Sequence, residues 1–286
     1  MTECLVALGS NVGDRPSVLN AAIDRLAAEP GVVVARRSTW YSTQPVGGAA
    51  LVGEFLNGVA LVETSREPEK LLELLQQIEL QHGRERHERW ANRSLDLDLL
   101  LYGDRIVESP RLTLPHPRMS FRRFVLDPAV EIAPDMIHPL IGWSLAQLVR
   151  HLDEGADSAA IVAPDEGVRS KVVELLTDQF GARSMETCDN FELRGMWPTA
   201  MTSWLAMPRD KARPEIPAPD DPAAAHPKLT ILIDSPGILD TKWNATIRQP
   251  GRGPTLNISA ANRDGVTPEV LAAVQAVWPH LGPLAD

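Results

Sequence analysis

The sequence predicts two α/β domains, an α+β sandwich over residues 1–155 followed by a second α/β domain over residues 156–286. Three observations carry this. Apolar runs with strand character alternate with helical runs, yet several joins between them are as short as hairpins, which suits a split βαβ arrangement better than a doubly wound sheet. The stretch from His151 to Ser158 is polar and small, and a fresh strand–turn–helix pattern starts at Ala159. A chain of 286 residues also divides naturally into two domains of about 100–150 residues each.

The elements follow in order. Cys4–Leu8 is an apolar run that stops at Gly9-Ser10-Asn11, and Leu19, Ile23 and Leu26 then recur at helical spacing up to Pro30-Gly31. Val32–Tyr41 reads as a second strand and Leu56–Thr64 as a third. Glu67–Gly83 is helical, with Leu71, Leu74, Leu75 and Ile78 on one face and Pro68 near its start, where a missing N–H costs little. A fourth strand, Leu95–Leu101, ends at Tyr102-Gly103-Asp104. The pattern is that of a ferredoxin-like sandwich. In the second domain Leu229–Ile233 and Thr255–Ile258 are β-rich, Pro268–Trp278 is helical, and six prolines between Pro208 and Pro227 predict a long mobile loop.

A net charge of −10 argues against a nucleic acid or an anionic membrane recognised across the whole surface. The two cysteines, Cys4 and Cys188, have no metal-ligand spacing and support no disulfide framework. No apolar run reaches the ~18–20 residues of a membrane span, and Glu3 stands where a signal peptide needs basic residues. A cytoplasmic protein acting on small molecules is expected.

The most informative segment is Arg93-Ser-Leu-Asp-Leu-Asp-Leu-Leu-Leu-Tyr102. Side chains alternate along a strand, so Asp96 and Asp98 leave one face while Leu95, Leu97 and Leu99 enter the other. Paired carboxylates repel unless a cation is supplied, and Mg²⁺ with phosphate oxygens supplies it; the competing reading is an exposed polar strand face. Just upstream, Arg84, Arg86, Arg89 and Arg93 fall within ten residues of a chain whose first 155 positions hold one lysine, Lys70. Guanidinium forks suit phosphate oxygens, although Glu85 and Glu88 could pair with them instead. A third cluster, Leu114-Pro-His-Pro-Arg-Met-Ser-Phe-Arg-Arg-Phe124, contributes His116, Arg122 and the flat ring of Phe124.

Taken together, Gly9-Ser-Asn11, Asn57 after Phe55-Leu56, Ile78-Glu79 with Gly83-Arg84, Arg93-Ser-Leu-Asp-Leu-Asp98, and Pro115-His-Pro-Arg-Met119 with Arg122 and Phe124 resemble the 6-hydroxymethyl-7,8-dihydropterin pyrophosphokinases over residues 1–152. The resemblance implies diphosphate transfer from ATP to the pterin, AMP leaving, in folate biosynthesis. It implies two Mg²⁺ on Asp96 and Asp98, with Arg84 and Arg93 on the phosphates as the catalytic arginines. Gln76, Glu79, Arg86, Trp90, His116 and Arg122 would line or close the ATP side. Phe55 and Phe124 would stack the pterin, Asn57 would bond its edge, and Thr43 and Val46 would complete recognition.

The second domain is weakly similar to deoxynucleoside kinases. Against the phosphate-binding pattern G-x-x-x-x-G-K-[ST], Ala163, Val168 and Arg169 replace the two glycines and the lysine, and only Ser170 survives. Three readings stay open: a degenerate kinase domain kept for homodimerisation or stability, an unrelated strand–turn–helix, and an active second kinase that would make the chain bifunctional. For the whole chain the alternatives are a nucleoside kinase whose N-terminal part is accessory and a non-catalytic pterin- or nucleotide-binding module.

Overall fold

The computed structural model describes residues 1–45, 53–82, 94–185, 201–208, 226–234, 253–259 and 263–280. The chain forms two compact units, Met1–Pro139 with Ser144–Ala146, and Leu140–Trp143 with Gln147–Asp286. The polar stretch His151–Ser158 is regular structure, helix α4 (Leu145–Glu154) and strand β8 (Ala156–Val162) being joined by Gly155 alone. A Cβ at Gly155 would lie 2.5 Å from the His151 carbonyl oxygen, so the tight join needs glycine.

In the first unit the elements run β1 (Thr2–Ser10), α1 (Arg15–Ala27), β2 (Val32–Arg37), β3 (Tyr41–Thr43), β4 (Phe55–Thr64), α2 (Pro68–Gln81), β5 (Asp96–Tyr102), the β6–β7 hairpin (Val107–Glu108, Thr113–Leu114) and α3 (Arg123–Ile132). The sheet order is β2-β4-β1-β5, with β3 continuing the β2 side of β4 and every pairing antiparallel. This is an α+β unit. One sheet face buries Cys4, Val6 and Leu8 of β1 with Leu95, Leu97 and Leu99, under Leu19, Ala22 and Leu26 of α1 and Leu71, Leu74, Leu75 and Ile78 of α2. Those residues recur at the two periods expected of a sheet packed against helices. Asp14 caps α1 by accepting from the Ser17 N–H at 3.2 Å, and Pro68 opens α2.

The strand expected over Val32–Tyr41 is broken in two. Register on β4 passes from Arg37 opposite Ala60 to Tyr41 opposite Asn57, so the link between the two strands carries one extra residue, and β2 carries another between Val34 and Arg36. Ser38 holds the break: its hydroxyl accepts from the Val59 N–H at 3.0 Å and donates to the Thr39 carbonyl at 2.8 Å. Helix α3 lies on β3 and β4, on the sheet face opposite α1 and α2. Its Pro128 sits inside the helix.

The second unit has the sheet order β12-β11-β8-β10-β9, formed by β8, β9 (Arg183–Met185), β10 (Thr202–Ala206), β11 (Pro227–Asp234) and β12 (Thr255–Ser259). Strand β11 is parallel to β8 and β12, while β10 is antiparallel to β8 and β9. Helices α5 (Glu166–Phe180) and α6 (Arg263–Val277) bury Val172, Leu176, Val270 and Val274. The buried Lys228 ammonium is paired with Asp157 at 2.7 Å, and Trp278 Nε1 donates to the same carboxylate at 3.1 Å, so the internal charge is neutralised. The proline-rich stretch lies almost wholly outside the described residues.

Candidate functional site

The register of four strands gathers the predicted residues. Asn57 of β4 stands opposite Gly9 of β1, which stands opposite Asp96 of β5, and Asp98 stands opposite Ala7. On the other side of β4, Tyr41 faces Asn57 and Thr43 faces Phe55. Paired residues in a ladder share a face and alternate residues share it too. Tyr41, Thr43, Phe55, Asn57, Asp96 and Asp98 therefore all belong to the face turned from the α1–α2 core. Gly9 sits in the middle of that row, and a Cβ there would come within 3.0 Å of Asn57 Oδ1.

At the β3–β4 end, Asn57 is only 8% exposed and its Nδ2 donates to Thr43 Oγ1 at 2.7 Å. Phe55, Thr43 and Phe124 are half-buried, and the Arg122 guanidinium lies 5.4 Å from the Phe124 ring centroid, a cation–π distance. Glu54, at the start of β4, accepts from Ser42 Oγ at 2.7 Å and Gln44 Nε2 at 3.1 Å, which ties the end of β3 to β4. Val46 lies outside the described residues.

At the carboxylate end, Asp96 and Asp98 are half-buried on an edge strand. Among the described residues no third His, Cys, Asp or Glu joins them in a metal-sized group. Two hard oxygen ligands with room for water and phosphate oxygens are the donor set that Mg²⁺ takes, since it keeps several waters and shares its coordination with the substrate. His116 reaches this end from the loop before α3. Its N–H donates to the Leu100 carbonyl at 2.8 Å, and its Nδ1 accepts from the Arg118 N–H at 3.2 Å. Burial first, then the charges of Arg122 and Arg118, push the His116 ring down to about 3 against the opposing pull of Asp96. A neutral imidazole beside two arginines and an aspartate can donate from Nε2 but carries no charge of its own at neutral pH.

Glu79, which the resemblance puts on the ATP side, also holds the backbone of β5. Its side chain is 2% exposed, and Oε1 accepts from the Leu97 N–H at 2.8 Å. Edge strand β5 leaves such N–H groups without a sheet partner, and a carboxylate from α2 supplies one midway between Asp96 and Asp98. Gln76 is half-buried on the same helix, one turn earlier. Arg84, Arg86, Trp90 and Arg93 lie outside the described residues.

What the site defines is a sheet face with a polar, aromatic-flanked slot at one end and paired carboxylates at the other, the form of an ATP-dependent group-transfer enzyme. The family model described as 7,8-dihydro-6-hydroxymethylpterin-pyrophosphokinase (HPPK) matches residues 5–134. The 2-amino-4-hydroxy-6-hydroxymethyldihydropteridine pyrophosphokinase of Synechocystis sp. is 43% identical over 149 residues, 52% of this chain and 75% of that protein. The proteins of the same name from Haemophilus influenzae and Bacillus subtilis are 40% and 46% identical, over 49% and 44% of this chain and 86% and 75% of theirs. The chain belongs to the 7,8-dihydro-6-hydroxymethylpterin-pyrophosphokinase family and is an ATP-dependent diphosphotransferase.

Among the described residues no helix is long and apolar enough to cross a membrane. The sequence reading missed Thr39, Tyr41 and Glu131, whose association joins positions about ninety apart in the chain and has no local signature.

Proposed function

We infer that the first unit transfers the terminal diphosphate of ATP to 6-hydroxymethyl-7,8-dihydropterin, with AMP leaving, as a step of folate biosynthesis. The observation that carries this beyond family membership is the common sheet face: Asn57 and Phe55 stand one strand from Gly9, and Asp96 and Asp98 stand one strand beyond it. The strand order and antiparallel pairing support a ferredoxin-like sandwich.

In this reading Phe55 and Phe124 sandwich the pterin, Asn57 bonds its amide-like edge, and Thr43 and Val46 finish the pocket. A flat heterocycle takes its affinity from aromatic faces and its identity from a few directed polar groups. Asp96 and Asp98 hold two Mg²⁺ ions, which when bound neutralise phosphate charge and polarise the reacting phosphorus. Arg84 and Arg93 grip the phosphates bidentately, while Gln76, Arg86, Trp90, His116 and Arg122 border the nucleotide. Glu79 works from behind, fixing the backbone between the two aspartates. The pterin hydroxymethyl oxygen bonds to the β-phosphorus and releases its proton to solvent as the bond from that phosphorus to the AMP oxygen breaks, the electron pair leaving on AMP. Positioning and charge neutralisation supply the acceleration, so no general base is required.

For residues 156–286 we propose a degenerate P-loop domain without phosphate chemistry. Only Ala163, Pro164 and Asp165 join β8 to α5, too short a loop to wrap a triphosphate. Asp165 Oδ1 already accepts from the Gly167 and Val168 N–H groups at 2.8 and 3.1 Å, and Arg169 Nη1 donates to the Ala163 carbonyl at 2.8 Å. Homodimerisation or support of the first unit is the role left to it.

Incubation with ATP, Mg²⁺ and hydroxymethyl-dihydropterin tests the main reading. One AMP per diphosphorylated pterin is expected; ADP as the nucleotide product, or no pterin product, overturns it.

A further inference from the structure

Glu131 is exposed on α3, yet it gathers three donors, two from Thr39 in the link that leads into β3 and one from Tyr41 at its start. The Thr39 N–H donates to both carboxylate oxygens, at 2.9 and 3.1 Å, the Thr39 hydroxyl donates at 2.8 Å, and the Tyr41 hydroxyl donates at 3.1 Å. Desolvation pushes the Glu131 carboxyl up, but the bonds from Thr39 and Tyr41 outweigh it and hold the group below the ordinary carboxylate range. The carboxylate is thus matched to its partners in the charged form.

Where these residues sit gives the clamp its consequence. Glu131 and Phe124 are seven residues apart on α3, two helical turns, and so lie on one side of the helix. Tyr41 and Thr43 are two apart on β3 and share the sheet face with Phe55 and Asn57. We propose that Glu131 is a positioning residue for the pterin pocket, tying the helix that carries Phe124 to the strand that carries Thr43 and so setting the width of the slot between them. This rests on the assignment of Thr43, Asn57 and Phe124 to the pterin. The break in the strand at Ser38 gives the tie its purpose. A three-residue strand has few ladder bonds of its own, and three charge-assisted bonds from α3 hold its entry in place.

The selectivity of the effect follows from the layout. Asp96, Asp98 and His116 are held by β5 and by the Leu100 carbonyl, on the far side of β1 from this clamp. Loosening Glu131 therefore widens the pterin slot and leaves Asp96, Asp98 and His116 in place; of the described residues assigned to the nucleotide only Arg122, the N-cap of α3, moves with the helix.

The test is steady-state kinetics on full-length Glu131→Leu, Glu131→Gln and Tyr41→Phe, with thermal melts alongside. Because a misplacement of about 1 Å is enough to weaken binding strongly, Glu131→Leu should raise the pterin KM about ten-fold and leave the ATP KM within about two-fold. Glu131→Gln should recover most of the loss, since its amide oxygen still accepts from Thr39, and Tyr41→Phe should show about a two- to three-fold rise. An unchanged pterin KM in folded Glu131→Leu, or an equal rise in both KM values, overturns the proposal. If Glu131→Leu does not fold, unchanged pterin KM values in both Tyr41→Phe and Thr39→Val overturn it instead. Asn57→Ala and Phe124→Ala separate the two layers. If they leave the pterin KM unchanged, the pocket assignment fails; if they raise it while the Glu131 and Tyr41 variants do not, only the clamp fails.

Discussion

Asn57 hands one of its amide protons to Thr43 at 2.7 Å while its carbonyl oxygen occupies the space over Gly9. The bond spans two strands and fixes which way a buried amide points, so in the proposed reading Thr43 sets the face that Asn57 offers to the heterocycle. Thr43→Val removes the acceptor and leaves the volume. The expected result is a pterin KM raised about ten-fold with the ATP KM unchanged, since a buried amide without its partner costs on the order of 1–3 kcal/mol. Equal pterin affinity in wild type and Thr43→Val, measured by isothermal titration, contradicts the assignment.

In the proposed reading Asp96 and Asp98 serve a different ligand from Asn57, so their substitution should separate catalysis from pterin recognition. Asp96→Ala and Asp98→Ala should each lower kcat by about a thousand-fold or more, as expected when ligands that organise charge at the reacting phosphorus are lost. Pterin affinity should stay within about three-fold. Near-normal turnover of either variant at ordinary Mg²⁺ would rule the pair out as metal ligands.

The neutral His116 ring makes a prediction about pH. Its folded value near 3 lies below the ordinary 6.5, so the unfolded chain binds the extra proton first as pH falls. The stability tied to this group is complete above about pH 6.5 and is lost progressively toward pH 3, at up to about 1.4 kcal/mol per pH unit. In catalysis the ring keeps one protonation state from pH 6 to 8. The ratio of wild-type to His116→Ala kcat/KM for ATP should therefore be flat across that range. A ratio that changes ten-fold between pH 6 and 8 would mean that the ring titrates in the working enzyme.

Trp40 lies on the backbone of Gly58 so closely that a Cβ there would be 2.5 Å from two ring carbons. Gly58 is the neighbour of Asn57, so the indole sets the height of the strand that carries Asn57. Gly58→Ala should destabilise the fold by about 1–3 kcal/mol through overpacking, and Trp40→Phe in the same chain should restore most of it. Denaturant melts of the two single variants and the double variant give the coupling directly, and strictly additive effects would refute the contact.

Much of the catalytic end was legible in the sequence because its signals are local. The alternation of Leu and Asp through Leu95–Leu99 states both the strand and the two faces, and the spacing of Leu71, Leu74, Leu75 and Ile78 states α2. The substrate end was harder for reasons that are equally physical. The break at Ser38 depends on Val59 and Gly58 across the sheet, and nothing in Val32–Tyr41 announces a bulge. Glu79 looks like any charged residue near a helix end, and its burial follows only from β5 being an edge strand. Helix α3 is disguised by Pro128, which propensity alone would read as a breaker, and with α3 hidden there was no reason to bring Glu131 to Thr39.

The last prediction concerns the second unit. Phosphate-binding helices offer free N–H groups at their first turn, but in α5 the Asp165 carboxylate has taken the N–H groups of Gly167 and Val168. A phosphate would have to displace an anion that is covalently part of the loop, and Glu166 adds a second negative charge beside it. Arg169 turns one of its donors back onto the loop, Nη1 donating to the Ala163 carbonyl just after β8. The full chain should therefore bind one ATP per molecule, at the first unit. Removing Asp165 in Asp165→Ala should cost α5 about 1 kcal/mol through the lost cap without creating nucleotide affinity, because the three-residue loop still cannot encircle a triphosphate. Calorimetry of full-length Asp98→Ala and Asp165→Ala with ATP and Mg²⁺, together with a deoxynucleoside phosphorylation assay, decides the matter. A second micromolar site, or nucleoside monophosphate formed above background, would show that the second unit is a working kinase.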